Sequence, residues 1–211
     1  VFAFLLIPSN PFQEEEGHWI EPVGLSDSKR SSELFQIYSV LKSQRADLRD
    51  SSAWDISNTI LEESRRHGLD PLLVLALINV ESSFQSEAVS TEGARGLMQI
   101  RPIAATAVVN ELVSINKGIN GGIGDSLDPS YLHPLDLDDP VLNIKLGVFY
   151  LYSLKKNFRD LKLALTAYNR GPTEVRNRLE DDEGLPLEYA MKVLSTYHRY
   201  RKDSRQSTKL P

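Results

Sequence analysis

Residues 70–102 read DPLLVLALINVESSFQSEAVSTEGARGLMQIRP, and the first third of that stretch decides the fold. From Leu72 to Val80 every position is apolar except Asn79, the pattern of a helix buried on all sides rather than one with a wet face. Asp70 suits the N-cap, and Pro71 the first helical position, where an N–H would lack a partner anyway. Glu81 stands at the far end, followed at once by Ser82 and Ser83. Burial disfavours the charged form of a carboxyl, so Glu81 is expected to hold its proton towards neutral pH. A protonated Glu that reaches a cleft can act as a general acid.

Upstream, Ser32–Arg49 sets Leu34, Ile37, Tyr38, Leu41 and Leu48 near helical spacing. Trp54–His67 puts Ile56, Ile60 and Leu61 on one face and is stopped by Gly68. Downstream, the polar and small residues of Gln85–Arg95 read as a loop, and Ile103–Leu112 as a helix. Asp139-Pro140 starts a helix whose buried stripe is Leu142, Leu146, Phe149, Tyr150 and Leu154. Leu161–Tyr168 is a short helix ended by Gly171-Pro172, and Pro186 begins a last one through Tyr200. The fold class is therefore mainly α. The polar end, Lys202–Pro211, is expected to fray.

At 211 residues the chain is long enough for one sizeable core, or a core with an appendage. Its formal net charge of −5 argues against nucleic-acid binding, and the absence of cysteine excludes disulfides and thiol chemistry. His18, His67, His133 and His198 have no metal-ligand spacing. Asp125, Asp128, Asp136, Asp138 and Asp139 lack the alternation and terminal Glu of a calcium loop, so they read as caps and solvated groups. No metal and no cofactor is expected. Asn116–Pro134, with Gly118, Gly121, Gly122 and Gly124, reads equally as a lid beside a cleft or as a plain surface insertion. Val1–Pro8 is apolar but too short to span a bilayer. It is either the tail of a signal peptide or membrane anchor, or an ordinary apolar terminus packed on the domain, and the two readings stand level.

Several short motifs follow one another in order. They are Glu81-Ser82 with Phe84, Ala88-Val89-Ser90, Gly93-Ala94-Arg95-Gly96-Leu97-Met98-Gln99-Ile100 with Pro102, Ala167-Tyr168-Asn169-Arg170-Gly171-Pro172, and Glu188-Tyr189. Each is weak alone; together, over roughly Trp54 to Tyr200, the set resembles the catalytic domain of soluble lytic transglycosylases, lysozyme-like enzymes that cleave bacterial peptidoglycan. The resemblance implies a lysozyme-like helical domain with an N-terminal helical extension. The chain then divides into a terminus and linker over 1–28, the extension over 29–53, the catalytic domain over 54–201 and a polar tail over 202–211.

The same resemblance assigns roles. Glu81 is the catalytic acid, and Ser90, Met98, Gln99, Tyr168, Asn169 and Tyr189 are the substrate-binding set. Ser90 would lie beside the sugar near the acid, Met98 would form a soft wall, and Gln99 would offer its amide to sugar hydroxyls. Tyr168 would place its hydroxyl near Glu81 and help orient the acid, and with Asn169 would line the floor of the site. Tyr189 matches a family tyrosine usually followed by Val, where Ala190 stands here. Arg101 replaces a usual Met, a departure expected to alter subsite preference.

No second carboxylate stands out in the matched motifs, and Glu87 and Glu92 of the nearby loop are positions the family does not use. The resemblance implies a reaction in which one Glu acts as acid and then base, cleaving the MurNAc–GlcNAc bond to leave 1,6-anhydroMurNAc ends. The implied partner is the peptidoglycan glycan strand in the bacterial envelope, periplasmic or membrane-associated, with any tether in an absent N-terminal segment. Two alternatives stay open: a lysozyme-type hydrolase, which would need a second carboxylate, and a non-catalytic glycan-binding module, against which an intact Glu81 argues.

Overall fold

The structure, a computed structural model, describes residues 23–116 and 132–207. The apolar stretch Val1–Pro8 and the glycines at 118, 121, 122 and 124 lie outside the described residues. Everything is arranged about α3 (Pro71–Ser82), in which Leu72 through Ile78 are buried without interruption. Its start is the expected one: Asp70 caps it by accepting from the Leu72 N–H at 2.9 Å, and Pro71 follows.

A helix buried on all sides needs neighbours all round. α1 (Val23–Gln44) contributes Leu34, Ile37 and Leu41, and α2 (Asp50–Arg66) contributes Ala53, Ile56, Ile60 and Leu61. α4 (Pro102–Asn116), α5 (Pro140–Phe158), α6 (Leu161–Arg170), α7 (Pro172–Glu180) and α8 (Glu188–Ser207) complete the bundle, with a short 3-10 helix at Pro134–Asp138. Among the described residues the only β features are the isolated bridges Val89–Arg95 and Arg95–Ile100. The α1 side chains enter the same hydrophobic cluster as those of α3 and α5, and the Arg45 guanidinium beyond α1 donates to the Phe84 carbonyl at 2.9 Å.

Several helix ends differ from the sequence reading: α1 begins at Val23 rather than Ser32, inside the stretch read as linker, and α4 runs on to Asn116 rather than Leu112. α1 stops at Gln44, where Lys42 turns to donate to the Leu48 carbonyl at 2.6 Å, so Leu48 packs from a turn. α8 begins at Glu188 rather than Pro186 and runs to Ser207, well into the segment expected to fray. α2 starts earlier, at Asp50, and α7 was not anticipated, because Gly171-Pro172 reads as a stop as readily as a start. The aspartates of the 132–140 stretch serve as two caps and one ion pair. Asp136 completes a capping box on the 3-10 helix, Asp139 caps α5, and Asp138 pairs with Arg95.

Candidate active site

α3 ends immediately after Glu81. Ser83 and Phe84 both adopt left-handed backbone conformations (φ 51° and 62°), which turn the chain sharply out of the helix. Glu81 is thus the last long side chain the helix delivers, and it opens onto a cleft of about 630 Å³. Burial lifts its carboxyl from an ordinary 4.5 to about 7, against the smaller opposing pulls of the Tyr189 hydroxyl and the Lys192 charge. Tyr189, on the first turn of α8, donates to Glu81 Oε1. Burial, and then the nearby Glu81 charge, raise the Tyr189 phenol well above 10, so it remains a donor.

The loop facing the acid is fixed from beneath by one buried side chain. Asn143 of α5 accepts from the Met98 N–H at 2.7 Å and donates to the carbonyls of Arg95 (2.9 Å) and Leu137 (2.8 Å). Gly96, at φ +77°, lies so close that a Cβ there would collide with the Asn143 amide and the Leu137 carbonyl. The Ser82 hydroxyl donates to the Leu97 carbonyl at 2.8 Å, and Arg95 grips Asp138 through two bonds of 2.9 and 2.6 Å. The loop is therefore held by groups from α3, α5 and the 3-10 helix, and the carboxyl of Glu81 by Tyr189 of α8.

Of the residues singled out in the sequence, Glu81, Ser90, Gln99, Tyr168 and Asn169 line the cleft. Ser90 Oγ accepts from the Ala94 N–H at 3.0 Å and the Glu92 N–H at 3.3 Å, which shapes the turn and leaves its own O–H to donate. The Gln99 amide nitrogen donates to the Ala88 and Gly96 carbonyls at 2.9 and 3.0 Å, while its oxygen takes no bond from the described residues. Asn169 is exposed at the end of α6.

Two expectations are corrected. Met98 is wholly buried and does not line the cleft: its sulfur packs over Gly147, which has no Cβ to obstruct it, so the side chain is core. Tyr168 does line the cleft, but its hydroxyl donates to the Met98 carbonyl at 2.9 Å, so the tyrosine bonded to Glu81 is Tyr189. Sequence reasoning also missed three participants. Tyr150 falls in the buried stripe of α5 by spacing, yet its ring lies 5.3 Å from that of Tyr168 and lines the cleft. Arg170 lines the cleft unassigned. Asn143 carried a readable signal, an amide flanked by Leu142, Ile144 and Leu146 in an otherwise apolar stripe.

The Transglycosylase SLT domain family matches residues 58–189. A membrane-bound lytic murein transglycosylase C of Edwardsiella ictaluri is 34% identical over 164 residues, which are 74% of this chain and 42% of that protein. Its counterpart in Mannheimia succiniciproducens is 33% identical over 144 residues, 64% of this chain and 36% of that one. The chain thus spans about two fifths of the length of these relatives. The solved lytic transglycosylase Slt of Pseudomonas aeruginosa, an inactive mutant, superposes with a TM-score of 0.54 at 28% identity, over 69% of this chain and 24% of that one. The 70 kDa soluble lytic transglycosylase of Escherichia coli gives 0.58 at 22% identity, over 83% of this chain and 30% of that one. That likeness bears on the fold alone, which is the all-helical lysozyme-like arrangement. Since the matched span holds the acid on α3, the loop facing it and the tyrosine bonded to it, the chain belongs to the transglycosylase SLT domain family.

Proposed function

We propose that the chain is a peptidoglycan lytic transglycosylase, cleaving the β-1,4 bond between MurNAc and GlcNAc with formation of 1,6-anhydroMurNAc ends. The observation that carries this reading is Glu81, a cleft carboxyl lifted to about 7 by burial and bonded by a tyrosine that stays protonated. Because Oε1 accepts from Tyr189, Oε2 is the oxygen left to carry the acidic proton into the cleft. Glu81 gives that proton to the glycosidic oxygen as the C1–O bond breaks. The resulting carboxylate takes the proton of the muramyl C6 hydroxyl, whose oxygen attacks C1. One C–O bond is broken, one is formed, and no water is consumed. The Tyr189 hydrogen bond strengthens as charge gathers on Glu81 between the two steps.

Ser90, Gln99, Asn169 and the rings of Tyr150 and Tyr168 offer a sugar hydroxyl donors, amide groups and flat apolar faces. The other carboxylate on the lining, Glu92, has a side chain 76% exposed and stands 4.0 Å from Arg101, an ordinary solvated position for the base a hydrolase would need. The setting that fits this chemistry is the bacterial envelope. Among the described residues no helix is long and apolar enough to cross a membrane.

The test is mass spectrometry of purified peptidoglycan digested by the protein, beside Glu81→Gln. Anhydro-ended muropeptides from the wild type alone are expected. Reducing ends, heavier by one water, would replace this reading with a hydrolase. Binding without release by either protein would replace it with a glycan-binding module.

A further inference from the structure

Two cations on the cleft lining have no part in the proposed acid–base chemistry. Arg101, just before α4, stands only at the limit of pairing with Glu92, at 4.0 Å, with both side chains largely exposed (58% and 76%). A pair so long and so solvated contributes little. Arg170, the last residue of α6, is exposed on the lining, and its side chain makes no hydrogen bond or ion pair among the described residues. With Glu81 protonated, the charged groups on the lining are these two guanidiniums and Glu92, a positive balance in a chain whose formal charge is −5. A glycan backbone is uncharged and offers such a wall hydrogen-bond acceptors but no counter-charge. Muramic acid differs from its neighbour sugar by a lactyl group ending in a carboxyl, which is either free or extended by a peptide with carboxylates of its own. The planar, five-donor guanidinium matches that group with two parallel hydrogen bonds.

We propose that Arg101 and Arg170 bind carboxylates on the muramic acid substituents, so that the cleft selects anionic muramyl strands over a neutral polymer of N-acetylglucosamine. This inference rests on the transglycosylase reading and names what that site discriminates.

The test is calorimetric titration of Glu81→Gln, which binds without cleaving, and of the same protein with Arg101→Gln and Arg170→Gln added. Three ligands of matched length are compared: strands with peptides, strands stripped of peptides to free lactyl carboxylates, and neutral chitooligosaccharides. The double Arg replacement is expected to weaken binding of carboxylate-bearing strands by about tenfold and to leave chitooligosaccharide binding within about twofold. The effect should shrink in high salt. Loss on peptide-bearing strands alone assigns the carboxylates of the stem peptide, loss on stripped strands alone assigns the free lactyl carboxyl, and loss on both shows that the guanidiniums take either carboxylate. Equal weakening of all three ligands, or of none, overturns the proposal. Because both side chains are exposed, unchanged thermal melting is the expected control. Failure of the transglycosylase reading shows separately, as absence of anhydro ends from the unsubstituted enzyme.

Discussion

The Tyr189 hydroxyl donates to Glu81 Oε1, so the helix that carries the acid and the helix that holds it are separate elements. The two are tied at further points. Asn79, the lone polar residue in the apolar run of α3, donates to the Tyr200 hydroxyl at 2.6 Å, and the Tyr197 hydroxyl donates to Asp70 at 2.6 Å. Polar groups that an isolated α3 would leave unmatched are thus partnered by α8. The position of the carboxyl is a property of the α3–α8 pair rather than of either helix.

The first prediction concerns pH. Cleavage should fall as pH rises through about 7, where Glu81 loses its proton. The Tyr189 bond favours the carboxylate, so Tyr189→Phe should move that alkaline limb upwards by on the order of half to one pH unit. The rate at the plateau should fall about tenfold, since the developing carboxylate loses its donor. A pH–rate profile of the variant checks both, and a limb that stays in place contradicts the assignment.

The acid weakens the fold that holds it. Its folded-state value near 7 lies above the ordinary 4.5, so between those two pH values the unfolded chain binds fewer protons. Stability therefore falls as pH rises across that window and is flat above it. Glu81→Gln should be nearly neutral at pH 5 and more stable than wild type at pH 8 by up to about 3 kcal/mol, while abolishing cleavage. Urea unfolding at the two pH values measures the difference.

Asn143 should be among the most sensitive positions outside the cleft lining. Asn143→Ala strands the Met98 N–H and two carbonyls in a buried place, a loss of about 3–5 kcal/mol. Asn143→Asp keeps the acceptor and loses both donors, so it should rescue little. Chemical denaturation, with activity measured at a temperature where the variants remain folded, separates damage to the loop from global unfolding.

Two glycines give a graded comparison. Gly96→Ala combines a positive φ with a collision against a fixed amide and a backbone carbonyl, and should cost about 3 kcal/mol or more with loss of activity. At Gly147 a Cβ would meet the yielding end of Met98 at Sδ, 2.5 Å away, and also its less mobile Cβ at 2.8 Å. Gly147→Ala should cost about 1–3 kcal/mol, and Met98→Leu should change little alone. Thermal melts of the three variants test the order.

How far the sequence could be read follows from how far each signal travels along the chain. Asp70, Pro71 and the run to Ile78 are local and strong, so α3 and its acid were legible. α7 buries only Val175, so it has no apolar stripe to announce it. The roles of Tyr168 and Tyr189 were misassigned because both are aromatic residues near a motif. Which hydroxyl meets Glu81 depends on how α6 and α8 pack, and that is not written in either segment. Met98 was read by its neighbours in the chain, while its place was decided by Gly147 on α5. Asn143 shows the opposite case: an amide in an apolar stripe is visible, but two of its three partners lie 45 and 48 residues earlier.

The reliance of the facing loop on Asn143 also orders events in time. The loop ends at Ile100 and waits for a side chain 45 residues further along to reach the Met98 N–H. Contacts of such separation close late, after local helices have formed. The wall of the cleft that faces Glu81 is therefore complete only once α5 has docked against the loop, so the cleft is a late product of tertiary assembly.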